Sequence, residues 1–121
     1  MSMYLGCDLI VDGDEREVSQ AVAVLTRGGD SLSIPGAYVQ CVRSDTSEPP
    51  RVWWTFEFRE QHLDLVESDA RAAADASGAM VSLEWYASHR MECGGVSWRC
   101  SDSGAAGPVR WQGPYHGQRG G

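Results

Sequence analysis

Between Arg51 and Arg59 the chain alternates without a break, with Val52, Trp54, Phe56 and Phe58 on one phase and Arg51, Trp53, Thr55, Glu57 and Arg59 on the other. Large apolar side chains at a period of two predict a β-strand with one face in a core and the other mostly polar. A sheet built from such strands needs a covering layer on one side. Two helical segments can supply it. Val18, Ala21, Val22 and Leu25 recur at helical spacing after Asp12-Gly13-Asp14, a turn with a candidate N-cap, and Gly28-Gly29 closes the run. Leu63, Val66, Ala70, Ala73 and Ala74 do the same between Gln61 and Ser77, ahead of Gly78.

Three further segments alternate. Leu5, Cys7, Leu9 and Val11 mark a strand over Tyr4 to Val11, Ala37 to Arg43 a second, and Val81, Leu83 and Trp85 a later one over Met80 to Tyr86. Ser44 to Pro50 reads as a polar turn between strands, because its prolines cannot donate to a ladder. The order strand, helix, strand, strand, helix, strand predicts an α+β fold with a ferredoxin-like split β-α-β antiparallel sheet and both helices on one face. Gly95 to Cys100 and Val109 to Gln112 read as two short strands that extend the sheet as a C-terminal β-hairpin. Residues 1–112 are thus expected to form one domain, and 113–121 a flexible Gly-rich tail.

A length of 121 residues suits one hydrophobic core. No apolar run approaches the roughly 18 to 20 residues that cross a bilayer, and Met1-Ser2-Met3-Tyr4 does not open a secretory signal, so the expected location is the cytoplasm, away from membranes. Formal net charge is −7, and the ten cations, all Arg, are scattered singly. Non-specific nucleic-acid binding depends on clustered cations that release phosphate counterions, so direct nucleic-acid binding is disfavoured. Cys7, Cys41, Cys93 and Cys100 are expected as thiols, the first two as small buried hydrophobes.

Several constellations could carry chemistry. His89, Cys93, Cys100 and His116 offer zinc-type ligands, without the tight Cys-x2-4-Cys knuckle of structural zinc sites. Cys93 or Cys100 could act as a nucleophile with His89 or His62 as base and Gly94-Gly95 as oxyanion donors. Glu57 and Glu84 fall on strands that could be neighbours, where two carboxylates can split their pKa values; a solvated face with Arg43, Arg51 and Arg59 as partners explains them as well. No Gly-rich phosphate loop is present, and no cofactor is expected. Of five tryptophans, Trp54 and Trp85 fall on core phases. Trp53 falls on the outer face, with Trp98 or Trp111 as neighbours. Aromatic residues beside Arg on a polar sheet are characteristic of binding surfaces.

Trp53-Trp54-Thr55-Phe56-Glu57 before the second helix, and Tyr86-Ala87 opening a loop that carries Met91 and ends at Gly94, together resemble the YubB-type ferredoxin-like family of phages, plasmids and other mobile elements. The resemblance spans residues 4 to 100. Where that family has an acidic-Pro-Gly step after the aromatic-Ala pair, this chain has Ser88-His89-Arg90. The resemblance implies a fold and a mobile-element setting, and no reaction. With the acidic charge, it leads to the expectation of a non-enzymatic module that binds a host protein. In its most specific form the module is an anti-CRISPR-like inhibitor that occupies a basic nucleic-acid-binding surface of a defence complex. Candidate contacts are Trp53 with Asp12, Asp14, Glu15, Glu17, Glu67 and Asp69; packed indole and solvated helix faces are the plainer explanation. The alternative is a small cysteine-dependent enzyme or zinc domain built on the Cys93/His89 loop.

Overall fold

The structure is a computed structural model that describes residues 3–29, 31–34, 40–47, 50–89, 91–99 and 109–114. Its elements in chain order are β1 (Tyr4–Asp12), α1 (Glu15–Thr26), β2 (Gln40–Ser47), β3 (Pro50–Arg59), a 3-10 turn (Glu60–His62), α2 (Leu63–Ser77), β4 (Met80–Ala87), β5 (Glu92–Arg99) and β6 (Val109–Pro114). The six strands form one sheet in the order β2-β3-β1-β4-β5-β6. Every neighbouring pair is antiparallel. The fold is α+β.

Alternation decides which face the helices cover. Leu5, Cys7, Leu9 and Val11 of β1 lie in register with Phe58, Phe56, Trp54 and Val52 of β3, and Cys7, Leu9 and Val11 with Trp85, Leu83 and Val81 of β4. All of these side chains are buried, together with Val18, Ala21 and Leu25 of α1 and Val66, Ala70, Ala73 and Ala74 of α2. The small alanines of α2 let its backbone come close to the sheet. Burying one Leu or Phe side chain contributes about 1.5–3 kcal/mol, so this single layer dominates the stability of the fold.

Each helix is stopped by local chemistry. Asp14 caps α1: its Oδ1 accepts the Glu17 N–H at 2.8 Å, and its own N–H donates to Glu17 Oε1 at 3.0 Å. At the far end Arg27 (φ 52°) and Gly28 (φ 81°) turn left-handed, and the Gly28 N–H reaches the Ala23 carbonyl at 3.0 Å. Gly78 (φ 79°) ends α2 in the same way. The helices run antiparallel: Arg27 binds Asp69 of α2 at 3.1 and 3.2 Å, while Glu17 sits beside Gly78.

Several element ends differ from the sequence reading by one or two residues, and β2, β5 and β6 differ in ways that have a physical reason or move a boundary. Ser44 to Ser47 continue β2 to a Ser47–Pro50 pair where a turn was expected. An edge strand accepts polar residues because it pairs on one side only, and Pro50 occupies the first position of its strand, where a missing N–H is tolerated. β5 begins at Glu92, three residues before Gly95, and takes in the Gly94-Gly95 step. Indoles from neighbouring strands stand in for the missing side chains: a Cβ on Gly94 would come within 2.6 Å of Trp85, and one on Gly95 within 2.6 Å of Trp111. β6 runs to Pro114, two residues past Gln112; residues 115–121 lie outside the described part. Among the described residues no helix is long and apolar enough to cross a membrane.

Candidate binding face

Among the described elements no helix packs on the side of the sheet away from α1 and α2. The alternate phase of the strands is turned to that side, and most of its described side chains are half-buried or exposed. The cross-strand rows can be read from the register: Asp8 lies between Thr55 and Glu84, Ile10 between Trp53 and Ser82, and Asp12 between Arg51 and Met80. Trp53 and Ile10 are half-buried on this face, as the alternation of β3 requires. Val42, Tyr4 and Trp111 are 67%, 45% and 45% exposed, so apolar surface extends to both edges of the sheet. Trp98 belongs to the other phase and is buried with the core. Trp111 does share a face with Trp53, but four strand spacings separate β3 from β6, roughly 19 Å.

At the centre of this face is a groove of about 290 Å³ lined by Asp8, Ile10, Arg51, Trp53 and Thr55. Ligand pockets for whole small molecules start near 300 Å³, so this groove is the size for one side chain. Trp53 and Ile10 provide its apolar walls. At one end the Thr55 hydroxyl donates to Asp8 Oδ1 at 2.9 Å, holding one oxygen of the carboxylate. At the other end Arg51 Nε donates to Asp12 Oδ1 at 2.6 Å, which neutralises that guanidinium. Glu84 faces Asp8 from β4. The described side chains on this face include four carboxylates (Asp8, Asp12, Glu57 and Glu84) against two guanidiniums, Arg51 and Arg59. Arg59 lies over the Tyr4 ring at 5.8 Å.

The acids expected to meet a partner divide between structural and exposed roles. Asp14 and Glu17 form the cap of α1, and Asp12 holds Arg51. Glu67 binds Arg110 at 3.0 and 3.1 Å and ties β6 to α2, while Asp69 binds Arg27. Burial raises the Asp69 pKa, and the attraction of Arg27 opposes that shift without cancelling it. Glu15 is exposed at the first turn of α1. Asp14 and Glu17 stand at the opposite end of α1 from Asp69, a helix length of roughly 15 Å, so these acids do not make one surface. Asp8, Ile10, Thr55 and Arg51, which line the groove, were not singled out as a set by the sequence. The signal was there in the polar phase of β1, but it acquires meaning only with the strand order.

That order also separates Glu57 from Glu84, which were expected as possible neighbours: β1 lies between their strands, and Glu57 is in register with Gly6. Arg43 belongs to the helix-side phase of the edge strand, bound to Asp45 at 2.8 and 3.0 Å and 5.8 Å from the Trp54 ring.

Cys93 is half-buried on β5 opposite Tyr86, and His89, in the turn after β4, has Nε2 3.3 Å from Glu60 Oε1. Cys100 and His116 lie outside the described residues, as does the side chain of Cys41. Among the described residues no three His, Cys, Asp or Glu side chains gather as a metal site. Gly94 and Gly95, considered as oxyanion donors, sit in a strand paired on both sides, where backbone N–H groups serve the ladder. Burial pushes the Cys7 thiol pKa up, and the charges of Asp8 and Glu84 add to the shift, so this sulfur is held protonated in the core. No protein-family model matches the chain, and no curated protein or solved structure is significantly similar to it.

Proposed function

We propose that the chain is a non-enzymatic protein-binding module that docks through the open face of its sheet on a partner with a basic surface. The observation that carries this reading is the half-buried row of Trp53 and Ile10 beside Asp8 and Glu84 on the face away from the helices. A sheet face meant for solvent has no need of a partly exposed indole at its centre, and binding surfaces are enriched in Trp. The carboxylates among the described side chains of the face, together with a formal charge of −7, select a cationic partner and steer its approach. The helix acids are largely occupied by caps and ion pairs, which moves the contact from the helices to the sheet.

The order β2-β3-β1-β4 with α1 and α2 between strands supports reading the first four strands as a ferredoxin-like split β-α-β unit, with β5 and β6 as a C-terminal hairpin extension. The resemblance to YubB-type domains of mobile elements adds the narrower form of the proposal: an anti-CRISPR-like protein that occupies the nucleic-acid-binding groove of a host defence complex in the cytoplasm. Cys7 and Cys93 as free thiols suit that compartment.

The test is capture of partners from a bacterial lysate on the immobilised chain, followed by hydrogen-exchange mapping of the purified complex. Protection of β1, β3 and β4 amides, and competition by nucleic acid, are expected. Protection confined to α1 and α2 would overturn the assignment of the face.

A further inference from the structure

The groove on the open face has a composition more specific than a general preference for basic partners. Trp53 and Ile10 line its middle row, and the Asp8 carboxylate lines the row at one end. The Thr55 hydroxyl, 2.9 Å from Asp8 Oδ1, holds one oxygen of that carboxylate and leaves Oδ2 and the remaining lone pairs to accept from a ligand. Glu84 lies directly opposite Asp8 on β4 and adds to the acidic character of that end. Among the described residues the one cation lining the groove is Arg51, already held by Asp12 at 2.6 Å and lying towards the other end.

We propose that this groove receives the side chain of one arginine presented by the protein partner, its guanidinium stacked on Trp53 and forked onto Asp8. The inference rests on the docking reading above. Three features favour arginine as the occupant. A planar guanidinium stacks on an indole and donates two parallel hydrogen bonds to a carboxylate, whereas an ammonium is a compact, strongly hydrated point charge. The volume of about 290 Å³ takes one long side chain with its aliphatic stem against Ile10, and is too small for a folded element. The local negative charge repels anionic alternatives and gives neutral polar ones no net attraction.

The experiment uses the full chain and small probes of known chemistry. Acetyl-arginine amide is titrated into the 15N-labelled protein, with acetyl-citrulline amide as the uncharged isostere and acetyl-lysine amide as the non-planar cation. The expected result is millimolar binding of the arginine probe. It should shift the Trp53 indole N–H and the Ile10 and Thr55 amides, leave the core indoles of Trp54 and Trp85 unmoved, and weaken about tenfold in Asp8→Asn. Trp53→Leu should weaken it as well, and Asp8→Asn is close to isosteric, so its amide spectrum doubles as a check on folding. Equal shifts from citrulline, equal binding of the lysine probe, or an arginine response indifferent to Asp8→Asn would overturn the proposal. The docking reading fails on a different observation. If a captured partner protects β1 and β3 while the arginine probe gives no Asp8-dependent shift, the face binds without this arginine contact; if no partner protects those strands, the docking reading itself falls.

Discussion

Asp8 and Glu84 are direct partners across the β1–β4 ladder, so the centre of the open sheet face holds two carboxylates in facing positions. Cross-strand pairs of like charge cost a few tenths of a kcal/mol to about 1 kcal/mol. Asp8→Asn keeps an oxygen for the Thr55 hydroxyl and removes one charge. It should raise stability in urea by about 0.5 kcal/mol at neutral pH and low salt, and the gain should shrink as salt screens the pair. A variant less stable than the parent would show that the two charges are not in conflict.

Gly94 and Gly95 carry no side chains because two indoles occupy the space, Trp85 on the helix side and Trp111 on the open side. Gly94→Ala should destabilise by about 1–3 kcal/mol, the range for overpacking a filled site. Its Cβ would meet the Trp85 ring at 2.6 Å and the Trp111 carbonyl at 3.1 Å, and Trp85 is fixed in the core. Gly6→Ala also collides, but with the far end of the Tyr86 side chain, which lies on the open face and outside the core; its cost should be the smaller of the two by chemical denaturation.

Asp14 and Glu17 make reciprocal bonds at the start of α1, and this structural duty accounts for both acids. Loss of an N-cap side chain costs about 1 kcal/mol. Asp14→Ala should therefore lower the unfolding midpoint while leaving capture of a partner unchanged at temperatures where the variant is folded. Loss of capture without loss of stability would return these acids to the interface.

Asp69 provides a pH signature. Burial raises its folded-state pKa more than Arg27 lowers it, so the folded state holds this proton to higher pH than the unfolded state does. The contribution is present in full below the unfolded carboxylate pKa and is lost as pH rises through the folded one. Between those two points stability should fall with rising pH, and the fall should be absent in Asp69→Asn. The titration of the Asp69 side-chain carboxyl by NMR, paired with thermal unfolding across that window, measures both halves. A titration at or below the ordinary carboxylate range would mean that the Arg27 pair wins.

The elements that sequence reasoning places well are those with an uninterrupted period. The strict alternation of Val52, Trp54, Phe56 and Phe58 and the helical spacing of Val18, Ala21, Val22 and Leu25 are local patterns, and the structure buries all of these residues except Val22, which is partly buried against the core. Trp53 could be assigned to the open face for the same reason. What sequence could not reveal depends on partners distant in the chain. Asp8 gains its meaning from Thr55 and Glu84, 47 residues away in the first case. Gly94-Gly95 resembles a loop until Trp85 and Trp111 are seen to cover it, and Glu67 and Asp69 look like solvated helix acids until Arg110 and Arg27 arrive.

The central claim is that the open face of the sheet is the binding surface, and hydrogen-exchange mapping of a captured complex tests it most directly. The account expects slowed exchange around Ile10, Trp53 and Thr55 when the partner is bound, and loss of capture in Trp53→Ala with retention in Glu15→Gln. Protection restricted to α1 and α2, with Trp53→Ala binding as the parent does, would contradict it.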